Sequence, residues 1–146
     1  MPMATLFRGP GESTLLPNEE ILTGFYLPLR KPGQGSAFKR IMRPQGVAIA
    51  ILNLAVWIHM HGDSILDIRI AAGPSGPVPR RLEKAEAAVR GKPLSAHVIA
   101  AAHEAALGEV SLRTSRHRAT REYREDMVGV LLKTTLTEAV ERASQI

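Results

Sequence analysis

The run from Val47 to Met60, VAIAILNLAVWIHM, constrains the fold more than any other stretch of the chain. Side chains alternate across a strand, so Ala48, Ala50, Leu52, Leu54, Val56, Ile58 and Met60 share one face. All of them are apolar, and that face must be covered. The opposite face, Val47, Ile49, Ile51, Asn53, Ala55, Trp57 and His59, is mixed and becomes more polar toward its end. His61-Gly62-Asp63 supplies a turn, and Ile65–Ala71 returns with Leu66, Ile68 and Ile70 expected inward and Asp67 and Arg69 outward. The pattern predicts an antiparallel hairpin with one buried face.

Around the hairpin, Glu20–Leu27 (EILTGFYL) and Ser36–Arg43 are further strand candidates, separated by the turn-rich Pro28–Gly35. Pro44-Gln45-Gly46 breaks the chain before the long strand. After the hairpin, the corner Gly73–Pro79 (GPSGPVP) must lead the chain out of the sheet and into a helix, with Pro79 as a first-turn proline. Leu82, Ala85 and Val89 form the stripe of that helix, and Gly91 ends it. Ser95 suits the cap of a second helix ending at Gly108, with Val98, Ala101, Ala102, Ala105 and Ala106 on one face. A third helix is expected over roughly Ala119 to Ser144, lined by Tyr123, Met127, Val130, Leu131 and Thr134. Strands precede helices. That order predicts an α+β fold, a small antiparallel sheet of three or four strands covered on one face by three helices.

The chain has 146 residues, 45% of them hydrophobic, which is enough for one domain with its own core. No window reaches the roughly 18 uninterrupted apolar residues of a membrane span, and MPMATLFRGPGEST lacks an apolar leader core. No membrane partner and a cytoplasmic location are therefore expected. The absence of cysteine excludes disulfides, thiolate metal sites and a cysteine nucleophile within this chain. The net charge of +5 is concentrated in Arg113–Arg124, RTSRHRATREYR. Its five arginines could meet phosphates, or could pair with Glu122, Glu125 and Asp126. No aromatic ladder accompanies them, so nucleic acid is not the expected partner.

Other chemistries find little support. His59 and His61 share a strand face but no third ligand can be placed beside them, so no metal site is expected. Gly73-Pro74-Ser75-Gly76-Pro77 does not fit a nucleophile elbow. Gly9-Pro10-Gly11 and Gly33-Gln34-Gly35 lack the context of a dinucleotide fingerprint, and there is no phosphate-binding G-x-x-x-x-G-K-[ST] loop. No catalytic residue is assigned.

The order of motifs carries more information than any one of them. Phe38-Lys39 is followed by Arg43, the apolar strand Val47–Ile58, the return strand Ile65–Ala72 and the corner Gly73–Pro79. Glu86, Gly91, the alanine-rich Ala100–Leu107 and Tyr123-Arg124 come next. Upstream stand Leu6–Gly11 and Leu16–Leu22. This series resembles the C-terminal domain of the flavoprotein (medium) subunit of molybdenum hydroxylases, the family of carbon monoxide dehydrogenase and xanthine dehydrogenase.

The resemblance implies a junction over residues 1–28 containing a short strand, and a C-terminal domain over 29–146. It implies an accessory domain of an FAD-containing oxidoreductase, not catalytic alone, with electron transfer through FAD held mainly by a separate flavin-binding domain. The implied partners are that flavin-binding domain and the molybdenum and iron–sulfur subunits. In xanthine-dehydrogenase-like members the lysine matching Lys39 lies near the flavin, where a cation favours negative charge on the reduced ring. Two departures stand out: the family's glycine-rich pyrophosphate loops are absent, and Gln45-Gly46 replaces an acidic residue found in several members. Two other readings remain open. One is a basic binding module using Arg113–Arg124. The other is a ligand-free homo-oligomer driven by an uncovered Val47–Met60 face.

Overall fold

The computed structural model describes residues 1–43 and 48–145. Within them lie β1 (Phe7–Gly9), β2 (Glu12–Ser13), β3 (Gln34–Met42), β4 (Ala50–His61), β5 (Ser64–Gly73) and β6 (Arg80–Arg81), followed by α1 (Glu83–Val89), α2 (Ala96–Leu107) and α3 (Arg121–Ala143). β1 and β2 form a small ladder of their own. The main sheet has four strands in the order β3-β4-β5-β6, each pair antiparallel. The α+β architecture is the one expected.

One face of this sheet carries Leu52, Leu54, Val56 and Ile58 from β4 and Ile68, Ile70 and Ala72 from β5, all buried. α3 crosses β3 and β4, α1 lies against β5, and α2 packs on α1 and α3. Fully burying each of the larger side chains contributes about 1.5–3 kcal/mol. The helices thus cover Leu52, Leu54, Val56 and Ile58 of the expected apolar face, while Ala48 stays exposed. Leu82, Ala85 and Val89 are fully buried, as their spacing predicts. Gly91 closes α1 with φ +78°, and the Ser95 hydroxyl accepts from the Val98 amide to cap α2.

α3 approaches β3 unusually closely. A Cβ placed on Gly35 would lie 2.0 Å from the Ala139 carbonyl oxygen and 2.7 Å from the Ala143 nitrogen. Only glycine permits this contact. Arg142 fastens the same junction by donating to the Ser36 carbonyl at 2.7 Å.

Several elements differ from the sequence reading, each for a local reason. The β4–β5 register passes from His59↔Asp67 to Met60↔Ile65, leaving Leu66 without a partner. This extra residue is a bulge, and it resets the alternation. Ile65 is fully buried, whereas Leu66, expected inward, is 53% exposed. Pro79 does not open a helix. Arg80 and Arg81 first pair with Ala72 and Ala71, and only then does α1 begin. The start of α1 has no local side-chain cap. Glu109, from the segment after α2, accepts from the amides of Lys84 and Ala85 instead.

Glu20–Leu27 has strand composition but belongs to neither sheet. The long strand begins at Ala50, and Ala48 is exposed. Val47 and the break Pro44-Gln45-Gly46 lie outside the described residues. On α3 the buried set is Arg124, Val128, Leu131, Leu132, Thr135, Leu136, Ala139 and Ala143. Tyr123, Val130 and Thr134, expected inward, face solvent. The true stripe is rotated by about one residue, or about 100°. Two of its members are polar and obscure it. The Thr135 hydroxyl donates to the Leu131 carbonyl at 2.7 Å, and Arg124 Nη1 donates to the Ile51 carbonyl at 2.6 Å.

Candidate functional site

β3 distributes its side chains so that Gly35, Ala37, Lys39 and Ile41 share the helix side, while Ser36, Phe38 and Arg40 share the other. Phe38 and Lys39, adjacent in sequence, therefore stand on opposite faces of the sheet. Lys39 reaches the side of α3 and pairs with Glu138, Nζ to Oε2 at 2.7 Å. Its side chain remains 41% exposed at the margin of the helical layer. Glu138 also pairs with Arg142 one turn further on. The hydrogen bond from Lys39 holds the Glu138 carboxyl below its ordinary value, opposed by burial and reinforced by the charges of Arg142 and Lys39. Lys39, Glu138, Arg142 and the Ser36 carbonyl thus form one continuous polar chain along the β3–α3 seam.

The sheet face away from the helices is open. Phe38 is 56% exposed there. Beside it Trp57 packs its ring 6.5 Å from that of His59, and the Arg69 guanidinium sits 5.9 Å from the Trp57 ring centroid. Ala55, Ala71 and Arg81 complete a shallow cleft of about 450 Å³ on this face. A flat apolar surface edged by arginines suits the packing of another folded surface or of a planar ring.

The segment after β2 comes back beside both, Leu27, Pro28 and Leu29 lining a cleft with Ser36, Trp57 and Arg142. Ile21, Phe25, Tyr26, Leu27 and Leu29 are each more than 60% exposed. Among the described residues, positions 21–29 take part in no hydrogen bond with the rest of the chain.

The remaining candidates sort as follows. His59 lies on the open face beside Trp57 and His61 at the exposed hairpin end, and the described residues contain no group of three or more His, Asp or Glu able to hold a metal ion. In the arginine cluster, Arg121 pairs with Glu125 at 2.7 Å, while Arg124 turns into the core. Glu138, the partner of Lys39, was not legible in sequence. Its i,i+4 spacing to Arg142 was visible, but which strand the pair would meet was not. The polar set around Lys39 is two cations, Lys39 and Arg142, and one carboxylate, Glu138. It fits contact with one edge of a flavin and does not fit enclosure of a whole dinucleotide.

Comparison with known proteins bears on the family and the fold. The family model for the CO dehydrogenase flavoprotein C-terminal domain matches residues 36–139. The putative xanthine dehydrogenase FAD-binding subunit of Escherichia coli is 31% identical over 145 residues, covering 98% of this chain and 49% of the relative. The nicotine 6-hydroxylase medium subunit of Paenarthrobacter nicotinovorans is 34% identical over 138 residues, covering 94% and 47%. Among solved structures, a chain of carbon monoxide dehydrogenase from Hydrogenophaga pseudoflava superposes with a TM-score of 0.85 at 27% identity, covering 95% of this chain and 47% of that one. The chain thus spans about half the length of these relatives. No helix among the described residues is long and apolar enough to cross a membrane. By motif order, by fold and by direct similarity, this chain belongs to the CO dehydrogenase flavoprotein C-terminal domain family, the C-terminal portion of FAD-binding subunits.

Proposed function

We propose that the chain acts as the C-terminal half of an FAD-binding subunit, completing a flavin-binding half within a molybdenum hydroxylase that also contains molybdenum and iron–sulfur subunits. The supporting observation is the segment 21–29. Its apolar side chains are exposed and its backbone is unpaired, although its composition is that of a strand. Such a stretch is costly in water and gains both burial and backbone hydrogen bonds by joining the edge of another sheet. The open face with Phe38 and Trp57 offers a second surface to the same neighbour. In this reading residues 1–28 are the junction, residues 29–146 are the domain proper, and the assembly is cytoplasmic.

FAD, bound chiefly by the other half, would supply electron transfer. This chain would contribute a wall and a cation. Lys39 is the proposed flavin-side residue. Its ammonium, oriented by Glu138, would favour negative charge on the reduced ring if that ring lies beside it. No turnover is expected from the chain alone.

Absorbance titration of the full chain with FAD tests this directly. The expected result is no stoichiometric complex with the isolated chain and a flavin-loaded complex after co-expression with the flavin-binding half. Tight one-to-one FAD binding by the chain alone would overturn the division of labour. Co-purification that survives Phe25→Asp/Tyr26→Asp would remove the docking role of the 21–29 segment.

A further inference from the structure

The arginine cluster that the flavin reading leaves unused is folded into a concavity. The corner Gly73–Pro79 faces the segment between α2 and α3, and between them lies a cleft of about 680 Å³. Arg113, His117, Arg118 and Arg124 line it together with the hydroxyl-bearing Ser111 and Ser115. The Ser111 amide donates to the Ser75 carbonyl at 2.7 Å, which ties the two walls together.

Arg124 is the unusual member. It is 4% exposed, and Nη1 is committed to the Ile51 carbonyl at 2.6 Å. Its Nε is buried and has no hydrogen-bond partner among the described residues. Such a donor is expensive to leave unmet. No carboxylate among the described residues forms an ion pair with Arg113, Arg118 or Arg124, the nearby Glu125 being held by Arg121. Burial first, then the positive charges of Arg118 and Arg113, disfavour the protonated form of Arg124. An anion entering the cleft would relieve that repulsion.

We propose that this cleft binds the phosphate group of a small phosphorylated molecule, with Arg124 as the buried anchor and Arg113 and Arg118 closing on it from the rim. Guanidinium groups suit this task because their planar forks match phosphate oxygens pairwise. The cleft has the volume of a small-molecule site. It is concave and has no Trp, Tyr or Phe in its lining, unlike the stacking platforms that bind single strands.

The test uses the full chain, titrated separately with inorganic phosphate, with ADP and with a short single-stranded DNA, and followed by amide NMR shifts and calorimetry. Saturable binding of phosphate or ADP is expected, with shifts confined to the Gly73–Pro79 corner and the Ser111–Thr120 segment. ADP binding more tightly than phosphate would identify a nucleotide-type source, and equal affinity would identify the free ion. The rim variant Arg113→Gln/Arg118→Gln alters only exposed side chains and should weaken binding at least about tenfold while leaving the circular dichroism unchanged. Absence of binding to either small ligand at about 10 mM, the weak end of specific recognition, would overturn the proposal. So would affinity unchanged in the rim variant. Binding of DNA without binding of phosphate or ADP would also overturn it, in favour of strand recognition.

Discussion

Glu86 Oε1, on α1, accepts the backbone amide of Ile70, on β5, at 2.8 Å. The Ile70 carbonyl takes the Leu82 amide, so both polar groups of Ile70 point toward β6. β6 is only two residues long and has ended at that level, α1 beginning at Glu83. The buried carboxylate therefore stands in for the strand residue that is missing. It also accepts from Arg81 Nε at 2.8 Å, with Arg90 3.8 Å away on the other side. This single side chain joins sheet, elbow and first helix.

Replacing it should separate two contributions. Glu86→Ala leaves the Ile70 amide without an acceptor and Arg81 without its partner, and should cost on the order of 3 kcal/mol. Glu86→Gln keeps an acceptor for Ile70 and should cost about half as much. Urea denaturation of the three proteins checks the ranking. Equal losses for both variants would show that the charge, and not the acceptor, is what matters.

Gly35 sets the distance between β3 and α3. Gly35→Ala must push α3 away from Ala139 and Ala143, because the obstructing atoms are backbone and cannot rotate aside. A loss of about 2–4 kcal/mol is expected, beyond the usual range for overpacking. Gly62→Ala, where no atom lies within 4 Å of the added methyl, carries only the strain of its φ of +57° and should cost less. Thermal melts of the pair test this contrast.

The bulge at Leu66 makes neighbouring substitutions unequal. Leu66→Ser lies on the open side and should change stability by no more than about 0.5 kcal/mol. Ile65→Ala empties a fully buried position and should cost about 2–5 kcal/mol. A larger loss at Leu66 than at Ile65 would mean that the strand pairs in the unbulged register, with Leu66 inside.

The Lys39–Glu138 pair has a pH signature. Glu138 has a folded value held below its ordinary 4.5, with the Lys39 hydrogen bond as the leading cause. A depressed carboxyl contributes stability that is fully present above its unfolded value and is lost as pH falls through the folded value. The window thus lies below about pH 4.5. Carboxyl-carbon NMR should find Glu138 titrating low in the parent chain and closer to its ordinary value in Lys39→Ala. An unchanged titration in that variant would assign the effect to Arg142.

Local pattern made much of the architecture legible. The hairpin follows from alternation, α1 from Leu82, Ala85 and Val89, and the start of α2 from Ser95. The helix-covered face follows from Leu52, Leu54, Val56 and Ile58, which have no other place to go. The errors arose where a distant partner overrides local pattern. Arg124 is buried because the distant Ile51 carbonyl accepts from it, while the Thr135 hydroxyl is satisfied by Leu131 one turn back in its own helix. The rotation of α3 could not be read without those acceptors. The short strand β6 was hidden for the same reason: its pairing partners, Ala71 and Ala72, belong to a strand on the far side of the elbow.

The amino-acid sequence by itself determined the class of fold, the hairpin at its centre, the Ser95 cap of α2 and the family to which its motif order points. These depend on spacings of a few residues, where backbone geometry alone relates one side chain to the next. Only the tertiary structure decided that Lys39 meets Glu138, that Phe38 turns to the opposite face, that Leu66 is extruded and that Arg124 lies beneath a cleft. Those outcomes depend on which surfaces meet across long stretches of chain, and that is settled by close packing of the whole core.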